Sequence, residues 1–430
     1  MKAVILAAGD GKRLLPLTET RPKVMLTVAG KPILHQLLIQ AKKAGITEAV
    51  VIVRHMKEKI IDYFSALENG TNGKKNNEDN EKLGMKIKFI EQGKDNGTGA
   101  AILCAKDDVD DTFVVLAGDS VLEASVIKKV IESHKKSNKT KSKITIGVKK
   151  VSNPHNYGVV ELSGDSVSIF EEKPKHPKTD LANISVYCME PTVFSDLKQL
   201  RKSPRGEYEI VDLFVGARAV IVDGYWKDIG YPWDLLEANE EVLKRMESQN
   251  ERIENSTING KVIMEPGARI INSYVEGCAY IGANTTIGPN AYLRGYNSIG
   301  KNCSIGGGTT VKNSILLDNV NAKHLSYIGD SVIGEKVNFG SGTQIANYRF
   351  DEGSINVLTE KGWVNSGKNK LGVFVGDNTK FGVLATTMPG KLIGSNCWIY
   401  SGIIVNKNVP SNTKVYTVQK IEFAKNSGED

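Results

Sequence analysis

The sequence predicts two domains of different class: an α/β domain with a Rossmann-like, mostly parallel sheet, then a parallel β-helix of hexapeptide repeats. Three observations lead there. Up to Asp119, apolar strand-like runs alternate with segments of helical period. From about Asn255 the helical signal stops and an apolar residue recurs every six positions. The chain has 430 residues, room for two or three domains at about 150 residues each. The expected divisions are 1–230, a linker helix at 231–254, and 255–430.

Lys2 to Ala7 reads as a buried strand, and Lys31 to Ala44 carries Ile33, Leu34, Leu37, Leu38 and Ala41 at helical spacing. Glu48 to Val53 is a strand and Lys57 to Leu67 a helix. Asn69 to Lys82, rich in Asn and Lys, reads as a surface insertion. Lys86 to Glu91 is a strand, Gly99 to Ala105 begins a helix, and Thr112 to Ala117 is a strand ending in Gly118-Asp119. Such alternation implies a sheet covered by helices on both faces. Its ligands bind beyond the carboxyl ends of the strands, where Gly9-Asp10-Gly11 and Gly118-Asp119 fall. Tyr231-Pro232-Trp233 opens a charged helix, roughly Asp234 to Met246.

In the second half Ile281, Ile287, Leu293, Ile299, Ile305 and Val311 share one phase, with Gly following at 282, 288, 300 and 306. Tyr327, Ile333, Phe339 and Ile345 form a second set. Val375, Phe381, Thr387, Ile393, Ile399 and Val405 form a third, and Ile258, Met264 and Ile270 an imperfect early one. This is the signature of a parallel β-helix. Its turns account for the local excess of Gly and Asn, which tolerate positive φ.

Composition excludes several classes. No apolar run reaches the roughly 18 residues of a membrane span. The chain opens directly on a strand and a glycine turn, leaving no room for a signal peptide, so a cytoplasmic location is expected. Cys104, Cys188, Cys278, Cys303 and Cys397 lie far apart without a Cys-x-x-Cys, against a disulfide framework or structural zinc. The net charge of +7 is spread along the chain without interleaved aromatics. That reads as a lysine-rich surface rather than a nucleic-acid site, and it suits anionic small substrates.

The most informative stretch is Leu6-Ala-Ala-Gly9-Asp-Gly11-Lys-Arg13-Leu-Leu-Pro16-Leu-Thr18-Glu-Thr-Arg-Pro22-Lys23. It lacks the third glycine of a dinucleotide fingerprint and the Gly-Lys-Ser/Thr of a P-loop. Glycines admit backbone N–H groups to phosphate oxygens, Arg13 adds a forked cation and Lys23 a point charge. Here the chain resembles the sugar-1-phosphate nucleotidylyltransferases, whose signature is close to LAAGxGxRLxPLTxxxPK. Their further motifs follow in order: Gln92 with Gly97-Thr98-Gly99, Leu116-Ala117-Gly118-Asp119, Asn156-Tyr157-Gly158-Val159-Val160, Glu171-Glu172-Lys173-Pro174, Asn183 and Trp226-Lys227-Asp228-Ile229-Gly230. The resemblance covers residues 1–240 and implies an α/β nucleotidyltransferase domain. Thr27 in PKVMLTVAGK leans towards the uridylyl enzymes and Glu-Glu-Lys-Pro towards the thymidylyl ones, so UTP and dTTP both stay open.

The resemblance implies roles. Arg13 and Lys23 hold triphosphate and act catalytically. Ala8, Gly9, Gly11, Gln92, Gly97 and Thr98 bind nucleotide. Gly158, Glu172 and Asn183 hold the sugar and Lys173 its phosphate. Asp119 and Asp228 ligate Mg²⁺. The attacking sugar-phosphate oxygen is already anionic, so the chemistry demands alignment and charge neutralisation rather than a general base.

In the second half, His324-Leu-Ser-Tyr327-Ile-Gly-Asp-Ser-Val-Ile-Gly-Glu-Lys-Val-Asn338-Phe-Gly-Ser341-Gly-Thr-Gln-Ile-Ala-Asn347-Tyr348 resembles the acetyltransferase domain of the bacterial bifunctional enzymes that acetylate glucosamine-1-phosphate. The resemblance implies a left-handed β-helix with active sites between the subunits of a homotrimer. Arg294 and Lys312 would bind sugar phosphate, Tyr327 and Asn338 the sugar, Asn347 the amine and Ser341 acetyl-CoA. An amine acylated by a thioester must lose a proton, and His324 is the candidate base. The match departs after Asn347-Tyr348, where Arg349-Phe350 and a stretch from Asp351 to Lys370 with little hexapeptide signal follow. That stretch reads as a loop over the acetyl-CoA site, with Lys361 a candidate second lysine. In this the chain resembles archaeal two-domain members of the group, some of which accept several amino sugars.

The reading is a bifunctional enzyme that acetylates glucosamine-1-phosphate, or galactosamine-1-phosphate, and couples the product to UTP or dTTP. Its rivals are a monofunctional glucose-1-phosphate thymidylyl- or uridylyltransferase with an assembling β-helix, and a non-catalytic scaffold.

Overall fold

The computed structural model describes residues 1–68, 83–136 and 142–424; the insertion read at Asn69–Lys82 lies outside them. The chain forms two compact units, Met1–Leu14 with Thr20–Asp234, and Leu15–Glu19 with Leu235–Asp430.

The first unit is built on a nine-stranded sheet. Lys86–Glu91, Glu48–Val53, Lys2–Ala7 and Phe113–Ala117 lie side by side and parallel. Apolar residues on both faces of Lys2–Ala7 explain its central place. Ala3, Ile5 and Ala7 join one core with Leu34, Leu37 and Leu38 of the helix Ile33–Lys43. Val4 joins the other with Ile102 of the helix Thr98–Leu103. Because Lys2–Ala7 has Glu48–Val53 on one side and Phe113–Ala117 on the other, the strand order reverses there and opens a crevice at the carboxyl ends.

Beyond Phe113–Ala117 the sheet is mixed, which corrects the expectation of a mostly parallel one. Leu181–Met189 runs antiparallel to both Phe113–Ala117 and Ile144–Lys150. Gly158–Ser163 and Ser166–Glu172 form a hairpin. The helix Ala124–Lys136 precedes Ile144–Lys150, but Gly158–Ser163, Ser166–Glu172 and Leu181–Met189 follow one another without an intervening α-helix, so no alternation of period announces them.

The second unit stacks parallel strands in two long sheets, consistent with a β-helix. Contacts between successive rungs join residues 18 or 17 apart, as in Thr285 Oγ1 to Cys303 N and Asn297 Oδ1 to Ser314 N. Ile281, Ile287, Leu293, Ile299, Ile305 and Val311 are all fully buried in one core. At the next rung the register pairs Val311 with Ile328 and Thr310 with Tyr327. Ile328 therefore fills the core and Tyr327 faces outwards, which corrects the first member of the second set while Ile333, Phe339 and Ile345 are buried in the core. A rung of 17 residues in place of 18 causes the slip. The helix Asp234–Arg245 belongs to this unit: Asn239 Oδ1 accepts from Ser298 Oγ at 2.6 Å, and Lys261 Nζ donates to the carbonyls of Lys244 and Met246 at 2.9 and 2.6 Å.

The segment 351–370 breaks the stack. Ser331 and Val373, on neighbouring rungs, are 42 residues apart in sequence. The segment is an antiparallel hairpin, Asn356–Thr359 with Gly362–Asn365, anchored by buried Ile355 and Val357. Among the described residues, no helix is long and apolar enough to cross a membrane.

Candidate active sites

The crevice at the carboxyl ends of the first sheet holds a cavity of about 550 Å³. Ala8, Gly9, Gln92, Gly97, Thr98, Asp119, Gly158, Glu172, Lys173, Asn183 and Asp228, all named from sequence, line it. Gly11, Arg13 and Lys23 do not line it directly. Lys23, 8% exposed, instead bonds the Asp119 carboxylate from behind the wall. The Arg13 guanidinium lies 5.6 Å from the Tyr231 ring centroid.

Glycine is required at two of these positions. At Gly97, φ is +110° and a Cβ would strike the Tyr208 backbone. A Cβ on Gly158 would come within 2.6 Å of the Phe170 ring and 2.8 Å of a Glu172 oxygen, at the wall of the cavity. Gln92 turns its Nε2 to the carbonyls of Asp95 and Gly97 at 3.0 and 3.3 Å, which leaves Oε1 as the acceptor it can offer a ligand. Thr98 Oγ1 accepts the Ile210 N–H at 3.1 Å, and Asn183 Nδ2 donates to Tyr187 Oη at 3.0 Å.

Charge is concentrated around Asp119 and Asp228. Burial, then the neighbouring Asp119 carboxylate, pushes Asp228 up to about 6 despite the opposing pull of Lys23. Burial works against the Lys23 charge, but Asp119 and Asp228 outweigh it and raise its pKa. Among the described residues no group of three or more His, Cys, Asp or Glu could hold a metal. Two facing carboxylates with no third side-chain ligand fit Mg²⁺, which takes one or two carboxylates and completes its shell with phosphates and water.

Arg54 and Glu207 are among the residues of this crevice that escaped the sequence reading. Arg54, at the end of Glu48–Val53, bonds Asn96 and reaches Asp10 at 3.4 Å, fastening the Gly9–Gly11 and Asp95–Gly97 loops together. Glu207 also lines the cavity. Arg54 follows a strand end directly, and that placement is the signal that could have found it.

In the second unit, strand register sets Arg294 beside Lys312 and Lys312 beside Gly329. Lys312 Nζ bonds both Asp330 oxygens, at 2.9 and 3.3 Å. Asn347 Nδ2 donates to Tyr327 Oη at 3.1 Å and also to Asp330. Burial raises the Tyr327 pKa, while Asn347 and Arg294 oppose the rise. Of the residues named from sequence, Lys312 and Asn347 thus meet at Asp330, which sequence reasoning missed, with Tyr327 bonded to Asn347 and Arg294 beside Lys312 in the register. The available signal was its rung position: Asp330 occupies the turn site of Asn313 one rung earlier, both with positive φ.

Within one chain, the others lie elsewhere. His324 is exposed on a corner, its carbonyl accepting the Gly342 N–H at 3.2 Å, and so shares that corner with Ser341. Asn338 belongs to the other long sheet, beside Asn321 and Lys380. Lys361 sits at the tip of the hairpin, whose Leu358 carbonyl accepts from Asn408 at 2.7 Å. The chain returns to Asn347 at Lys370–Leu371, where Lys370 lies 5.7 Å from the Tyr348 ring centroid.

Crevice, glycine turn and paired acids define a nucleotide-handling α/β domain. The chain belongs to the nucleotidyl transferase family, whose model matches residues 2–245. A second model, the GMPPB C-terminal domain, matches residues 275–416. The chain is 40% identical to the "Bifunctional protein GlmU" of Methanocaldococcus jannaschii, over 99% of this chain and 100% of the relative. It is 38% identical to the "Bifunctional sugar-1-phosphate nucleotidylyltransferase/acetyltransferase" of Sulfurisphaera tokodaii, over 95% and 98%. A crystal structure of apo-UDP-glucose pyrophosphorylase superposes with a TM-score of 0.50 at 23% identity, covering 57% of this chain and 98% of that one, a likeness of fold alone.

Proposed function

We propose that the protein is a bifunctional enzyme of nucleotide-sugar synthesis. It N-acetylates glucosamine-1-phosphate from acetyl-CoA, then transfers a uridylyl group from UTP to the product and releases pyrophosphate. The observation that carries both halves is the pair of charged clusters, Lys23–Asp119–Asp228 and Lys312–Asp330–Asn347, one in each unit. A β-helix that only assembled an oligomer has no use for a lysine and an aspartate 13% and 9% exposed, since burying charge is unfavourable. Full-length similarity to relatives named as bifunctional supports the same reading.

In the first site the Gln92 Oε1 would accept the imide N–H shared by uracil and thymine. Asn183 and Glu172 would hold sugar hydroxyls, and Lys173 the sugar phosphate. Arg13 and Lys23 would neutralise charge accumulating on the departing pyrophosphate. Mg²⁺ held by Asp119 and Asp228 would supply further positive charge beside the α-phosphate. In the second site Arg294 and Lys312 would bind the sugar phosphate, with Tyr327 and Asn338 on the sugar. His324 would accept the amine proton as nitrogen attacks the thioester carbonyl and CoA thiol departs, with Ser341 of the same corner against acetyl-CoA.

Leu325 and Leu384, each 64% exposed, lie near that corner on the rungs either side of Ser341-Gly342. Exposed leucines there support a homotrimer of left-handed hexapeptide β-helices in which another copy completes the His324 site. The test is product analysis with glucosamine-1-phosphate, acetyl-CoA, UTP and Mg²⁺. UDP-N-acetylglucosamine is expected, its formation failing when acetyl-CoA is left out. A nucleotide sugar that forms equally well without acetyl-CoA would contradict the reading.

A further inference from the structure

Asp330 is 7% exposed, and its carboxylate accepts four contacts from three donor groups. Oδ1 accepts from Lys312 Nζ at 3.3 Å and Asn313 Nδ2 at 3.2 Å; Oδ2 accepts from Lys312 Nζ at 2.9 Å and from Asn347 Nδ2. Its backbone is pinned too, by Asp330 N to Lys312 O at 2.8 Å and Gly372 N to Asp330 O at 2.9 Å. The side chain cannot swing away, and no acceptor site of the carboxylate is left over to meet a substrate.

The consequence falls on Asn347. A carboxylate only accepts, so Asp330 forces the Asn347 amide to present its NH₂ inwards, where one hydrogen meets Asp330 and the other Tyr327 Oη. Asn347 Oδ1 is thereby left as an acceptor without a partner among the described residues. Without a carboxylate at 330 the amide could rotate and turn donors towards the substrate instead. An acceptor is what a neutral amine needs: donating one N–H to Oδ1 fixes the amine so that its lone pair can aim at a thioester carbon.

We infer that Asp330 is a positioning residue for acetyl transfer, holding the Asn347 carbonyl oxygen towards the 2-amino group of an amino-sugar 1-phosphate. The inference rests on the proposed second activity. It also fixes a sign. Asp330 sits beside Lys312, so its charge opposes binding of a dianionic phosphate. Removing that charge harms the chemical step while leaving phosphate binding intact or stronger.

The test is steady-state release of CoA thiol by the full-length protein with glucosamine-1-phosphate, well below the melting temperature of each variant. For Asp330→Asn, kcat falls about tenfold or more while KM stays level or falls. Pyrophosphate release by the first site stays within about twofold of wild type. In a double-mutant cycle, Asp330→Asn adds little further loss to Asn347→Ala, because one acts through the other. Should Asp330→Asn fold poorly, Asp330→Glu, which keeps the charge but shifts the oxygens, is expected to lower kcat in the same way. An unchanged kcat, a KM that rises in step with a falling kcat, or additive losses in the cycle would overturn the inference. A wild-type chain that acetylates no amino-sugar phosphate would instead overturn the function on which it rests.

Discussion

The ammonium of Lys23 is bonded to the carboxylate of Asp119 although their positions lie 96 residues apart, one in the signature loop and one at the end of Phe113–Ala117. With Asp119→Ala the buried Lys23 loses its nearest counter-charge. Nucleotidyl transfer is expected to fall by at least about a hundredfold, with a stability loss of about 3 kcal/mol. Acetyl transfer by the same preparation should persist. Parallel assays of pyrophosphate and CoA thiol release check both halves.

Gly97→Ala places a Cβ against the Tyr208 backbone in a left-handed conformation. A loss of about 2 kcal/mol or more is expected, with a raised KM for nucleotide because the Gln92–Gly97 loop must shift. Thermal melting and initial-rate kinetics test it.

His35 is 5% exposed, with Nδ1 at 2.7 Å from Tyr63 Oη. Burial, helped by nearby Lys31, lowers its pKa from 6.5 to about 4. Between those values the unfolded chain binds a proton that the folded chain refuses. Its contribution is therefore intact above pH 6.5 and is lost as pH falls towards 4, by up to roughly 3 kcal/mol. The stability advantage of wild type over His35→Gln should shrink across that window in denaturant titrations. A constant difference would contradict the assignment.

Ile328 and Tyr327 separate packing from chemistry at one rung. Ile328→Ala removes a fully buried side chain and is expected to cost about 3 kcal/mol. Tyr327→Phe should cost less than about 1 kcal/mol yet slow acetyl transfer, because Asn347 loses one amide partner. Melting curves and thiol release distinguish them.

Which features were legible in the sequence follows from how local their causes are. The column Ile281 to Val311 was visible because a β-helix repeats one short-range rule, and each of those side chains is buried. The crevice residues were visible because their motifs sit at strand ends. Tyr327 was misplaced because a rung one residue short shifts the phase without disturbing the apolar count. The antiparallel strands Gly158–Ser163, Ser166–Glu172 and Leu181–Met189 were missed because no α-helix separates one from the next. Arg54 and Asp330 draw their meaning from partners distant in sequence, Asp10 and Asn96 for one, Lys312 and Asn347 for the other. Strand-end and rung position could flag the two residues, but not the partners each one bonds.

The central claim is that the β-helix is catalytic. The direct measurement is release of free CoA thiol from acetyl-CoA, with and without glucosamine-1-phosphate, by wild type and His324→Ala. Release that depends on the sugar phosphate and falls by at least about a hundredfold in His324→Ala is expected. No release with either glucosamine- or galactosamine-1-phosphate would contradict the account and leave the second unit as an assembly module.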